Sequence, residues 1–248
     1  MLFNPALCIG CMQCRNACPV GAIGDSGVNR VLCTGCGVCT EECYADALYI
    51  KGRSMTSREV VAEALKDASF YSRTGGGVTF SGGEPLGQID FMEETLLLCR
   101  DSQLNVAVET CGHAPWESFK RIASLVDVFL FDIKTTDSDK HLAYTGARCG
   151  LILENCEQLV KIAKRVIIRV PVVPEFNFDL ESLTGIVRFA ERIGVQEIHF
   201  LPYHRMAANK CEFLGREYWN PGVDRLESSA VEDCIKKIDT SIKLRLNG

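Results

Sequence analysis

The 248-residue chain lacks the cationic excess of a nucleic-acid binder: 27 Lys and Arg face 32 Asp and Glu, for a formal charge of -5. Phosphate recognition draws on clustered Lys and Arg, so no nucleic-acid partner is expected. Long apolar runs are also missing, and the opening MLFNPALCIGC has neither a basic leader nor an apolar stretch behind it. No membrane segment or secretory signal is therefore expected, and the chain reads as cytosolic with its thiols reduced. Disorder is excluded by 47% hydrophobic against 24% charged residues. The length admits one large barrel or two ordinary domains. Cysteine alone is in excess, 14 in all, with eight crowded between residues 8 and 43. The others, Cys99, Cys111, Cys149, Cys156, Cys211 and Cys234, are too sparse for a disulfide framework, which points to metal.

The crowded cysteines form a repeat. Cys8, Cys11, Cys14 and Cys18 read C-x-x-C-x-x-C-x-x-x-C, and a shift of 25 residues lands on Cys33, Cys36, Cys39 and Cys43 with the same spacing. Leu7 maps to Leu32, Gly10 to Gly35, Ala22 to Ala47 and Ile23 to Leu48, so a short apolar strand is duplicated with each cysteine run. In two-cluster ferredoxins, which this segment resembles, three thiolates on one tight loop bind one [4Fe-4S] cubane and the fourth cysteine ligates the other. The expected sets are therefore Cys8, Cys11, Cys14 and Cys43 for one cluster, and Cys33, Cys36, Cys39 and Cys18 for the second. Pro19 follows the first run as in those ferredoxins, although Tyr44 stands in its place after the second. The rival is a pair of zinc ribbons, which would use C-x-x-C knuckles separated by a longer loop.

From residue 53 onward strand and helix alternate. Thr56 and Glu59 are spaced as a capping box ahead of VVAEALKDASF. GVTFS (77–81), NVAVET (105–110), DVFLFDIK (127–134), VIIRVPVV (166–173) and EIHFLPY (197–203) are apolar runs suited to strands buried on both faces. IDFMEETLLLCRDS, WESFKRIASL, NCEQLVKIAKR and LESLTGIVRFAERIG between them carry helical periodicity. A last helix is expected near 223–238, and the IKLRL tail is not assigned. The fold class is α/β: a partial parallel (β/α) barrel over 53–248, with a ferredoxin-like domain over 1–52.

In such folds ligands bind at the carboxyl ends of strands. Ser81-Gly82-Gly83-Glu84-Pro85 follows the first strand, where glycines admit a close backbone approach and the carboxylate accepts hydrogen bonds from an amine, though a Gly-Gly turn is often only a turn. Glu109-Thr110-Cys111-Gly112 follows the second, and Asp132-Ile133-Lys134 ends the third with acid and base on one face, which an ordinary exposed ion pair would also explain. Arg169 is a cation inside an apolar run, costly unless paired. His204 ends the fifth strand; His199, inside it, reads as a satisfied core residue.

The double cysteine motif, SGGEP at 81–85, ETCG at 109–112, DIK at 132–134, LEN at 153–155, RVPVVP at 169–174 and LPYHRM at 201–206 together resemble the glycyl-radical enzyme activating enzymes, radical S-adenosylmethionine proteins of the pyruvate formate-lyase activase group with a two-cluster ferredoxin insert. The resemblance runs over essentially the whole chain. It implies that Gly82, Gly83 and Glu84 hold the amino group of S-adenosylmethionine, while Asp132, Lys134, Arg169 and His204 position its carboxylate, ribose and sulfonium. Glu109 and Thr110 match positions that, with the DIK aspartate, hold a monovalent cation in relatives. It further implies reductive cleavage of the cofactor, hydrogen abstraction from a glycine of a partner enzyme, electrons from flavodoxin or ferredoxin, and a monomer.

One family feature is absent from these residues. The catalytic [4Fe-4S] cluster of the family sits on a C-x-x-x-C-x-x-C loop, and here Gly21 and Asp46 stand where Cys14–Cys18 and Cys39–Cys43 would need a third cysteine. The expectation is a chain shortened at its amino end by about one strand and loop and inactive as numbered, with catalytic-cluster cysteines absent and cofactor cleavage confined to a full-length form. Two alternatives stand beside it: a catalytically dead electron-transfer or docking protein with two clusters, and a related radical enzyme modifying a small substrate or peptide.

Overall fold

A computed structural model describes residues 1–25, 27–219 and 221–247, apart from the side chain of Ala207. The chain divides into two compact units, one of Met1–Ser54 with His204–Asp224 and the other of Met55–Tyr203 with Arg225–Gly248. Segment 204–224, which the sequence places with the barrel, thus groups with the cysteine-rich residues.

The duplication is visible in the backbone of the first unit. Its elements are β1 (Leu2–Phe3), α1 (Gln13–Ala17), β2 (Ile23–Gly24), β3 (Gly27–Val28), α2 (Val38–Glu41) and β4 (Leu48–Tyr49). A shift of 25 residues carries β1 onto β3, the start of α1 onto that of α2, and β2 onto β4. Even the turn conformations recur, with φ of +71° at Gly10 and +73° at Gly35, and +61° at Gly21 and +51° at Asp46. The strands pair across the repeats, β1 antiparallel to β4 and β2 to β3. Each copy completes the other's hairpin, and Ile23, Cys39 and Leu48 form the small shared core.

The second unit opens with α3 (Ser57–Leu65), whose capping box is formed: Glu59 N donates to Thr56 Oγ1 at 3.3 Å and Thr56 N to Glu59 Oε2 at 2.7 Å. The helix stops at Lys66, earlier than its apolar pattern, and α4 (Ala68–Thr74) follows. Then come β5 (Val78–Phe80), α5 (Ile89–Asp101), β6 (Val106–Thr110), α6 (Trp116–Ile122), β7 (Val128–Asp132), α7 (Ser138–Thr145), α8 (Gly150–Val160), β8 (Val166–Val172), α9 (Leu180–Ile193) and β9 (Glu197–Pro202). Helix α10 (Ala208–Phe213) lies in the first unit; α11 (Ser228–Ile235) and β10 (Lys243–Leu246) end the second. The unassigned tail is therefore a sixth strand. All six strands run parallel in the order β10-β9-β8-β7-β6-β5, so the α/β class expected from the sequence holds. No helix among the described residues is long and apolar enough to cross a membrane.

The strands are not apolar on both faces. Phe129 and Phe131 of β7, Ile168 and Val170 of β8, and Ile198 and Phe200 of β9 are fully buried in the core cluster shared with the helices. Each contributes about 1.5 to 3 kcal/mol of burial. The residues between them turn to the other face, and there Asp132, Arg169, His199 and Arg245 line up in cross-strand register. A two-residue period hides this polar row inside runs that read as continuously apolar.

Candidate functional site

Two groups of cysteines converge in the first unit. Cys8, Cys11, Cys14 and Cys43 line one cavity of about 180 Å³ together with Phe3, Ile23, Val28 and Leu48. Cys18, Cys33, Cys36 and Cys39 line a second, smaller one. Burial, together with the neighbouring Cys43 and Cys11 thiols, pushes the Cys14 thiol up; burial with Cys18, Cys33 and Cys36 does the same to Cys39. Cys18 moves the other way, because backbone N–H groups point at its sulfur, that of Ala22 donating at 3.2 Å. These are the two crossed sets that the ferredoxin spacing predicts. Among the described residues no group of three or more His, Cys, Asp or Glu could hold a metal ion as the side chains stand. Four thiols spread around an apolar-walled cavity fit a cubane, which takes one thiolate per iron, better than one zinc with every sulfur about 2.3 Å away.

The second unit gathers most of its expected residues at the carboxyl ends of β5 to β8. Glu84 is fixed by the end of β6: Thr110 Oγ1 donates to its Oε1 at 2.8 Å and Cys111 N to its Oε2 at 2.9 Å. Gly82, at φ +131°, and Gly83 have open space where a Cβ would stand, so the loop leaves room beside that carboxylate. Ser81 Oγ donates to Glu109 Oε2 at 2.7 Å, and Glu109 Oε1 accepts from Arg169 Nη1. Arg169 is thus paired, as its place in an apolar run demanded. Lys134 Nζ lies 3.7 Å from Asp132 Oδ2, with both side chains largely covered rather than exposed. Here Glu109 and Thr110 engage protein groups: Ser81 and Arg169 for the first, Glu84 for the second. His204 is exposed and belongs to the first compact unit.

Burial raises the Asp132 carboxyl above its ordinary value, although Lys134 and Arg169 pull it down. A raised folded value means that the stabilisation tied to this proton is full below the unfolded pKa and is lost as pH rises through the folded one. Asp132→Asn is therefore expected to gain stability over wild type between about pH 4 and neutrality, read as urea midpoints at each pH. An equal pH response in both proteins would refute that. Natural sites commonly hold such a group at a cost in stability.

Several positioning residues escape a motif-based reading. Asn177, fully buried, donates from Nδ2 to Lys134 O at 2.6 Å and Pro171 O at 2.8 Å and accepts from Val173 N at 2.7 Å, tying the end of β7 to that of β8. Asn155, in the LEN sequence, donates to Gly112 O and Ala114 O at 2.8 Å each and so fixes the loop after β6. His199 is only half satisfied, correcting its reading as a satisfied core residue. Its Nε2 meets Glu197 Oε1 at 3.0 Å while Nδ1 is buried without a partner.

A parallel six-stranded sheet with glycine, acid and base at its strand ends, beside a doubled four-cysteine motif, belongs to a class that sequence comparison defines. The Radical SAM superfamily model matches residues 30–200, and the 4Fe-4S binding domain model matches residues 1–24. The trans-4-hydroxy-L-proline dehydratase activating enzyme of Clostridioides difficile is 36% identical over 97% of this chain and 82% of its own length. The choline trimethylamine-lyase activating enzyme of Oleidesulfovibrio alaskensis is also 36% identical, over 98% of this chain and 83% of its own. A domain of a pyruvate-formate lyase-activating enzyme from Bacteroides vulgatus superposes with a TM-score of 0.58 at 25% identity, covering 70% of this chain and 99% of that one. The chain belongs to the glycyl radical enzyme activating enzymes of the Radical SAM superfamily.

Proposed function

We propose that this protein serves the activation of a glycyl radical enzyme, holding two auxiliary [4Fe-4S] clusters in its first unit and S-adenosylmethionine at the polar strand ends of its second. The observation that carries the reading is the cluster of Glu84, Glu109, Asp132, Lys134 and Arg169 beside an open glycine turn. When bound, the clusters supply one-electron transfer and S-adenosylmethionine supplies the radical that takes a hydrogen from the partner's glycine.

The chain's own residues would do the binding. Glu84 Oε1 accepts from Thr110 Oγ1 and Leu86 N, while Oε2, bound by Cys111 N alone, keeps a lone pair that can accept from an ammonium group. Lys134 and Arg169 offer cations to a carboxylate, and the buried Asp132 Oδ1 and Arg169 Nε have no protein partner. These 248 residues contain no C-x-x-x-C-x-x-C run, so the reading assigns cofactor cleavage to a form that carries that loop. Flavodoxin or ferredoxin is the proposed electron donor, the cytoplasm the compartment and the monomer the working state.

Equilibrium binding of S-adenosylhomocysteine, a non-cleavable analogue, to the anaerobically reconstituted chain tests the cofactor site. Wild type is expected to bind, and Arg169→Met to bind about tenfold more weakly, the loss of one charge-assisted contact. Absence of binding by wild type would refute the reading.

A further inference from the structure

The cross-strand row on the polar face runs past the residues assigned to the cofactor. Asp132 of β7 is the register partner of Arg169 on β8, Arg169 of His199 on β9, and His199 of Arg245 on β10. Five buried side-chain atoms among the described residues lack a hydrogen-bond partner, and three of them, Asp132 Oδ1, Arg169 Nε and His199 Nδ1, lie in this one row. Orphaned buried polar atoms are uncommon and costly, so three neighbours in register point to a group that completes them.

The row is also held rigidly. Glu197, two residues before His199 and on the same face, receives Arg165 Nη2 at 2.5 Å and Arg245 Nε at 2.7 Å as well as the His199 ring. The His199 contact and the two guanidinium groups keep the Glu197 carboxyl below its ordinary value, so it is a carboxylate that accepts from His199 Nε2–H. In the neutral imidazole that leaves Nδ1 a lone pair and no proton. Arg169 Nε–H, on the neighbouring strand in direct register with His199, is a donor.

We propose that His199, oriented by Glu197, is a further ligand-positioning residue: together with Arg169 it takes a neutral group that both donates and accepts a hydrogen bond. Such a group is a ribose hydroxyl of the nucleoside or a backbone amide of the glycine-bearing peptide. The inference rests on the cofactor reading above and extends that site across β9.

Two isosteric substitutions separate the ring nitrogens. Asn places an acceptor near Nδ1 and gives up the bond to Glu197; Gln places a donor near Nε2 and gives up the acceptor. The full chain, reconstituted without oxygen, is titrated with S-adenosylhomocysteine and, by ligand-observed NMR, with acetyl-triglycine amide. His199→Gln is expected to weaken one probe about tenfold while His199→Asn stays within about threefold of wild type. Loss with the nucleoside identifies the hydroxyl, and loss with the peptide identifies the amide. Equal affinities in all three proteins, equal losses in both variants, or a larger loss in His199→Asn would overturn the inference while leaving the cofactor reading intact. Failure of wild type to bind either probe would remove both. If the variants do not fold, the ¹⁵N shifts of the wild-type His199 imidazole decide: an unprotonated Nδ1 that moves on adding a probe supports the proposal, and one that does not move overturns it.

Discussion

Cys43→Ala combined with Cys8→Ala is expected to lower iron content from about eight to about four per chain, no further than either substitution alone. Cys43→Ala combined with Cys36→Ala is expected to remove nearly all of it. The asymmetry follows from the crossed grouping: Cys43 shares a cavity with Cys8, Cys11 and Cys14, and Cys36 shares the other with Cys18, Cys33 and Cys39. If each run of four served its own cluster, Cys8 and Cys43 would belong to different clusters and the first pair would lose both. The crossing has a structural cause in the strand exchange, since β1 pairs with β4 and β2 with β3. Each fourth cysteine precedes a strand that pairs with the other copy, and so it sits beside the other copy's loop. The Ala22 N–H, donating to Cys18 Sγ at 3.2 Å, holds that thiol below its ordinary value. Iron and sulfide analysis on anaerobically reconstituted protein reads the result.

The ferredoxin unit was legible because its chemistry dictates spacing: a cubane demands thiolates at fixed reach, and duplication shows itself as a 25-residue shift. The parallel sheet was legible because its strands are short apolar runs set between helical patterns. Helix α7 was not, since His141 is its one buried side chain and its apolar face is faint. Its ends carried signals that could have found it: Asp137 accepts from Asp139 N and Lys140 N, and Gly146 closes the helix at φ +81°. Strand β10 was obscured by Lys243 and Arg245, which alternate with Leu244 and Leu246 on a half-exposed edge. The polar row escaped for a related reason. A parallel sheet covered by helices on one face presents its second face to a ligand, and a polar residue there, such as His199, looks in sequence like an interruption of the core.

Gly82 and Gly112 carry the same sequence signal, a glycine just past a strand, and are expected to lose unequal amounts of stability on substitution by alanine, for different reasons. At Gly82, φ is +131° and a Cβ meets nothing within 4 Å. Gly82→Ala is therefore expected to cost about 1 to 2 kcal/mol of backbone strain and to weaken S-adenosylhomocysteine, since that strain falls on the turn that leads into Glu84. At Gly112, φ is +76° and a Cβ would lie 2.3 Å from Phe131 Cζ and 2.6 Å from Cε1. That ring is fully buried, 6.1 Å centroid to centroid from Phe119, so it has no free direction of retreat. Overpacking of about 1 to 3 kcal/mol adds to the conformational strain, for a total near 3 kcal/mol and a urea midpoint lower by about 1 to 2 M. The damage would spread to the site, because Gly112 N donates to Thr110 Oγ1 at 3.0 Å and that hydroxyl donates to Glu84. A smaller stability loss for Gly112→Ala than for Gly82→Ala would show that the loop after β6 yields, and that Phe131 does not set the position of Glu84.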